Sequence, residues 1–94
     1  KKRTFSFSKE KDKILRETRG LGFKDAIFAI ESGNLIDDQS NPNQKRYPEQ
    51  RIFIIKIDSY IFSVPYVIDK ERDEFFLKTL YPSRKLTKKY AKKR

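Results

Sequence analysis

The chain has 94 residues and a formal charge of +10, from 23 Lys and Arg against 13 Asp and Glu, which makes one small domain with one modest core. With 36% hydrophobic and 14% aromatic residues it is too apolar to stay disordered, although 38% of it is charged. The absence of Cys excludes disulfides and thiolate chemistry, and the absence of His removes the usual general base and the usual zinc ligand.

Thr4-Phe5-Ser6-Phe7-Ser8 alternates polar and apolar residues, the pattern of a short half-buried strand. Ser8 is placed to cap a helix, with Glu10 in its first turn. From Lys9 to Thr18 only Ile14 and Leu15 are large and apolar, so this helix is expected mostly on the surface. Gly20-Leu21-Gly22 stops it. Phe23, Ala26, Ile27 and Ile30 recur at helical spacing and predict a second helix over 23–32, which Gly33-Asn34 ends.

Residues 34–50 are polar and turn-rich, and predict a long loop with a short strand at Leu35-Ile36-Asp37. A loop of that length in so small a domain is often functional. Arg51 to Ile57 is apolar on both faces and predicts a central strand. Asp58-Ser59 is a two-residue turn, and Ile61 to Ile68 pairs back. Pro65 cannot donate a ladder hydrogen bond and marks an edge or a bulge. Asp69 to Asp73 turns the chain into a third strand, Glu74 to Tyr81. Leu86 to Lys93 is compatible with a short basic helix. The fold class predicted is α+β: two N-terminal helices on one face of an antiparallel meander, followed by a basic tail over 84–94.

Charge is unevenly placed: +5 over residues 1–19, −3 over 20–77 and +8 over 78–94. A basic end of this kind suits a polyanion, either nucleic acid or an acidic protein surface. No apolar run approaches the roughly 18 residues of a membrane span. None of signal-peptide type follows Lys1-Lys2-Arg3-Thr4, so a cytoplasmic protein with no membrane partner is the expectation. Asp37-Asp38 is the densest carboxylate pair of the polar region, but it has no third ligand at metal spacing, so neither a metal nor another cofactor is expected.

Two segments carry a resemblance. Arg19-Gly20-Leu21-Gly22-Phe23-Lys24-Asp25-Ala26, after a strand and a charged helix, resembles the Gly-Ile-Ser-Phe-Glu-Glu-Ala element of BrnT-type toxins. Leu77-Lys78-Thr79-Leu80-Tyr81-Pro82-Ser83-Arg84-Lys85 resembles that family's arginine-strand-Ser-Ala-Arg-Lys element, with Tyr90 where the family often has a tyrosine. Lys78 stands where the family commonly has arginine, and Pro82 and Ser83 where it has serine and alanine. The resemblance implies a RelE-like fold and a metal-independent ribonuclease that inhibits translation. It also implies RNA as substrate, ribosome-bound messenger included, and a small DNA-binding antitoxin as partner.

Cleavage of RNA without a metal needs a base for the 2′-hydroxyl, cations for the phosphoryl oxygens and an acid for the 5′-oxygen. Lys78, set on a strand face with Phe76 and Leu80, is either a partly desolvated general base or an edge lysine that snorkels to water. Arg84, after the Pro82-Ser83 break, is the best phosphate clamp. Tyr90 stacks on a base, acts as a weak acid or packs the terminal helix on the sheet. Arg51 is a second clamp or the partner of Glu49 or Glu74. Lys45, Arg46 and Tyr47 on the long loop contact RNA or the antitoxin or belong to a solvated loop, and Lys85, Lys88 and Lys89 in the tail are candidates for RNA contact. Ser83 binds phosphate or caps the next helix. The same basic ends equally serve a non-catalytic nucleic-acid-binding module, or a domain whose tail docks an acidic protein.

Overall fold

The computed structural model describes residues 3–91. In chain order the elements are β1 (Phe5–Phe7), α1 (Lys9–Arg19), α2 (Phe23–Glu31), β2 (Leu35–Ser40), β3 (Arg51–Ile57), β4 (Tyr60–Asp69), β5 (Glu74–Leu77), β6 (Tyr81–Pro82) and α3 (Arg84–Ala91). The chain is α+β, with a mixed sheet in the order β1-β5-β4-β3-β2 and β6 paired to β4. Strands β2 to β5 are antiparallel: short turns join β3 to β4 and β4 to β5, while β2 runs on to Ser40, past the expected Leu35–Asp37, and reaches β3 through a loop over 41–50. The exception is β1, which runs parallel to β5 with Phe5 opposite Phe75 and Phe7 opposite Leu77. A helix follows β1, so no hairpin fixes its direction, and it docks on the free edge of the meander.

The helices begin and end where local chemistry dictates. Ser8 Oγ accepts the Lys11 N–H at 3.2 Å, and Gly20, at φ 77°, ends α1 with its N–H on the Arg16 carbonyl. Asp12 is buried within α1 because it serves the next helix: its Oδ1 accepts the Phe23 N–H at 2.7 Å and its Oδ2 accepts Arg16 Nε at 3.1 Å. Asp25 Oδ2 takes the Gly22 N–H at 2.8 Å. Gly22 has no room for a side chain, since a Cβ would lie 2.4 Å from Asp12 Oδ1 and 2.8 Å from Arg16 Cγ. The Gly20 to Ala26 element is thus the corner that folds α1 onto α2.

Strand alternation sorts the side chains into two layers. Phe53, Ile55, Phe62, Val64, Tyr66 and Leu77 face α1 and α2 and pack with Leu15, Phe23, Ala26 and Ile30. Phe53 and Phe23 are fully buried, and burial of one such ring stabilises by about 1.5–3 kcal/mol. On the opposite face Ile52, Ile54 and Ile61 meet Leu86 and Tyr90 of α3. The central strands are apolar on both faces because both are covered, one by two helices and the other by one short helix.

Candidate nucleic-acid interface

Pro65 organises the α3 face. It lies inside β4, opposite Ile52 of β3 and at no bulge, but on its other side the β5 pairing stops at Tyr66 and the β6 pairing reaches only Ser63, so the expected edge is a local one. Its carbonyl accepts the Lys78 N–H at 2.8 Å, so its backbone polar groups point away from β3 and toward β5. The donor that proline lacks is the return bond to Lys78. The β5 ladder therefore ends at Leu77, residues 78–80 leave the sheet, and pairing resumes only at Tyr81, opposite Ser63. The single third strand expected over Glu74 to Tyr81 is split in two for this reason. The split also overturns the expected Lys78–Leu80 face. Lys78 stays on the α3 side with its Nζ 5.4 Å from the Phe76 ring centre, whereas Leu80 is fully buried in the α1/α2 core.

Over this gap lies an open cavity of about 280 Å³. Pro65 lines it together with Lys78 and Thr79. Tyr47 and Tyr81 line it too, each 38% exposed. Asn41 and Gln50, the two ends of the β2–β3 loop, complete it. No carboxylate lines the cavity among the described residues. Lys78 is exposed, not desolvated between apolar neighbours, as a lysine that snorkels to water would be and a buried general base would not.

The loop over 41–50 is folded on itself. The Asn41 N–H donates to the Gln50 carbonyl at 2.9 Å and Asn41 Nδ2 donates to Gln50 Oε1 at 2.8 Å. Asn41 Oδ1 accepts the Asn43 N–H at 2.9 Å, and the Tyr47 N–H reaches the Asn43 carbonyl at 2.9 Å. These bonds hold Tyr47 at the cavity. Lys45 and Arg46 stay exposed, with the Arg46 guanidinium 5.5 Å from the Tyr47 ring centre.

Helix α3 borders the same face. Ser83 caps it: Ser83 Oγ accepts the Leu86 N–H at 3.1 Å. Thr87 anchors it, taking the Ile61 N–H at 2.9 Å and donating to the Ser83 carbonyl at 2.7 Å. Arg84, Lys85, Lys88 and Lys89 are exposed, and α3 has no acidic residue in its first turn. Two cations at a helix N-terminus oppose the helix dipole. Tyr90 is partly buried on Ile52, Ile54 and Ile61, so of its three expected roles it takes packing. The last part of the basic tail, 92–94, lies outside the described residues.

Arg51 belongs elsewhere. It shares the α1/α2 face with Phe53 and pairs neither with Glu49 nor with Glu74. Its Nε contacts Asp38 Oδ1 and Tyr66 Oη, both at 3.2 Å, its Nη1 reaches Ser40 Oγ at 3.3 Å and its Nη2 the Asp38 carbonyl at 3.0 Å. The Tyr66 hydroxyl donates to Asp38 Oδ1 at 2.7 Å, and its ring stacks on Phe53 at 3.9 Å. Burial, with the hydrogen bond to Asp38, pushes the Tyr66 phenol up to about 12. The Tyr66 bond and the Asp38 charge hold the Arg51 guanidinium above its ordinary value. The sheet separates this network from Lys78 and Arg84, so Arg51 clamps the stem of the loop and not the same phosphate.

The structure thus brings Lys78 and Tyr47 together at one cavity, leaves the cations of α3 on the same side of the sheet, and excludes Arg51. It adds Asn41, Gln50, Thr79 and Tyr81, which sequence reasoning missed. A readable signal for Tyr81 was its place beside Pro82 at the strand break. No cluster of potential metal ligands occurs among the described residues, and no described helix is long and apolar enough to cross a membrane. Comparison with protein-family models, with curated proteins and with solved structures finds no match.

Proposed function

We propose that this chain is the toxin of a type II toxin–antitoxin pair, a metal-independent ribonuclease of RelE-like fold that binds RNA across the α3 face and inhibits translation. The observation that carries the reading is the cavity over Pro65. Among the described residues it joins one exposed lysine, two half-open tyrosines and no carboxylate, on the side of the sheet that α3, with four exposed cations, also covers. Lysines and arginines supply the salt-dependent part of RNA binding, and tyrosine rings supply stacking for unpaired bases. The resemblance of the Lys78 to Lys85 segment to the BrnT-type element adds the prior for cleavage.

In this reading the 2′-oxygen attacks phosphorus, the P–O5′ bond breaks, and a 2′,3′-cyclic phosphate and a 5′-hydroxyl result. Lys78 and Arg84 offset the charge that builds on the phosphoryl oxygens. The 2′-hydroxyl proton passes to water through the hydroxyl of Tyr47 or Tyr81, and the Lys78 ammonium gives the departing 5′-oxygen the proton it needs and regains one from water. Tyr90 positions α3 through its packing. An antitoxin would silence the site by laying an acidic segment along α3.

The test is induced expression in bacteria of the wild type beside Lys78→Ala and Arg84→Ala, with total RNA inspected for cuts. Arrest and cut RNA with the wild type alone, all three proteins being soluble, is the expected result. Equal growth and intact RNA in every culture would sink the ribonuclease reading and leave a binding module.

A further inference from the structure

The hydrogen bonds of the Asn41–Gln50 clasp fix what this cavity offers a ligand. Asn41 Oδ1 accepts a backbone N–H, that of Asn43, so the atom there must be the amide oxygen. Asn41 Nδ2 therefore faces Gln50, and the Gln50 atom it meets at 2.8 Å must be the acceptor Oε1. Both amide orientations follow from one backbone donor. The Asn41 carbonyl is occupied too, by Gln44 Nε2. Among the described residues, Gln50 Nε2 makes no hydrogen bond, and it belongs to a residue that lines the cavity.

The consequence is a site rich in donors. A free glutamine reads adenine by accepting from N6 and donating to N7 at once, whereas donors alone suit the O6 and N7 acceptors of guanine. Gln50 has one lone pair of its oxygen turned onto Asn41, so the adenine mode competes with that bond, whereas its N–H groups are unspent among the described residues. Lys78, the one cation that lines the cavity among the described residues, adds further donors and no acceptor. Two tyrosine rings on the same rim offer a stacking surface for a planar base.

Resting on the RNA reading above, we propose that the cavity is a guanine subsite, in which Gln50 Nε2 and Lys78 Nζ donate to the O6/N7 edge of a base stacked on Tyr47 or Tyr81. Guanine then sets where on an RNA the chain sits, while α3 holds the neighbouring phosphates without regard to sequence.

The experiment compares fluorescence anisotropy of the full chain on single-stranded oligoribonucleotides of one length and charge: all-adenine, all-uracil, and all-adenine with one central guanine, inosine or 7-deazaguanine. The expected result is about tenfold tighter binding with guanine than with adenine or uracil, matched by inosine and lost with 7-deazaguanine. Gln50→Glu, which exchanges the donor for an acceptor, should erase the preference. Because 7-deazaguanine is read by the wild-type protein, the conclusion does not depend on that variant folding. Equal binding of the guanine and adenine strands overturns the subsite and leaves the RNA interface standing, as does uracil binding as tightly as guanine. A guanine preference untouched by 7-deazaguanine overturns the N7 contact. No binding to any strand at low salt overturns the RNA reading itself.

Discussion

The two faces of this sheet use the same alternating strands for opposite ends. Facing α1 and α2, polar groups are absorbed by the protein: Asp12 caps α2 and holds Arg16, and Asp38 holds Tyr66 and Arg51. Facing α3, the apolar contact is a small patch of Ile52, Ile54, Ile61, Leu86 and Tyr90. Around it Lys78, Arg84, Lys85, Lys88 and Lys89 are exposed, and none of them forms an ion pair among the described residues. The difference teaches where to look for function in a strongly basic chain. Net charge is not the signal, because cations such as Arg16 and Arg51 are already occupied. The signal is the set of exposed cations that form no ion pair among the described residues, on the side of the sheet whose cavity no described carboxylate lines.

The comparison breaks most directly on the packed face. Phe23 is fully buried, with its ring centre 5.0 Å from that of Phe7. Phe23→Ala should cost about 3–5 kcal/mol, read as the midpoint of urea unfolding, out of a total of about 5–15. A loss under about 1 kcal/mol would mean that α2 is not the core helix described.

Next in size is the α1–α2 corner. Gly22→Ala forces a methyl group onto Asp12 Oδ1 and should cost about 1–3 kcal/mol. In a double-mutant cycle Asp12→Ala should remove much of that penalty, since the nearest clashing atom goes with it and Arg16, whose Cγ is the next at 2.8 Å, loses the ion pair that holds it there. Additive effects would show that the close approach is not what demands glycine. Gly20→Ala, where φ is 77° and nothing lies within 4 Å, should instead cost about 1 kcal/mol from backbone conformation alone.

Smaller again is the Tyr66 network. Tyr66→Phe should lose about 1 kcal/mol near neutral pH. The sign of its pH dependence follows from the raised phenol. The folded chain keeps that proton up to about 12, whereas the unfolded chain releases it near 10. The stability it contributes is therefore full below pH 10 and is lost as pH rises toward 12. Unfolding midpoints across that window should fall more steeply for the wild type than for Tyr66→Phe, and parallel curves would refute the assignment.

The smallest effect on stability, and the clearest on binding, belongs to α3. Alanine at Arg84, Lys85, Lys88 or Lys89 should shift stability by no more than about 0.5 kcal/mol. Each should also lower the slope of log affinity against log salt for RNA by about 1. Destabilisation without a change of slope would make α3 a structural helix and nothing more.

Chain-local rules determined most of this fold. The Ser8 cap, the Gly20 and Gly33 stops, the spacing of Phe23, Ala26, Ile27 and Ile30, and the double-faced apolar run of β3 were legible because they depend on neighbours in sequence. So was the predominance of cations near the end of the chain. The parallel docking of β1 was not legible, because a three-residue strand carries no signal of its partner's direction. Nor was the burial of Asp12, whose reason is an N–H in another helix. The site was legible in part: Lys78, Tyr47 and the α3 cations stood out by type, while Gln50, Asn41 and Tyr81 did not. Tertiary structure alone decided that Arg51 lies across the sheet from Lys78, because a face is assigned only when register is known. It also decided that Pro65 opens a gap where β5 would continue. Sequence names the groups available for chemistry, but only the sheet, through its register and its missing proline donor, fixes which of them face the same space.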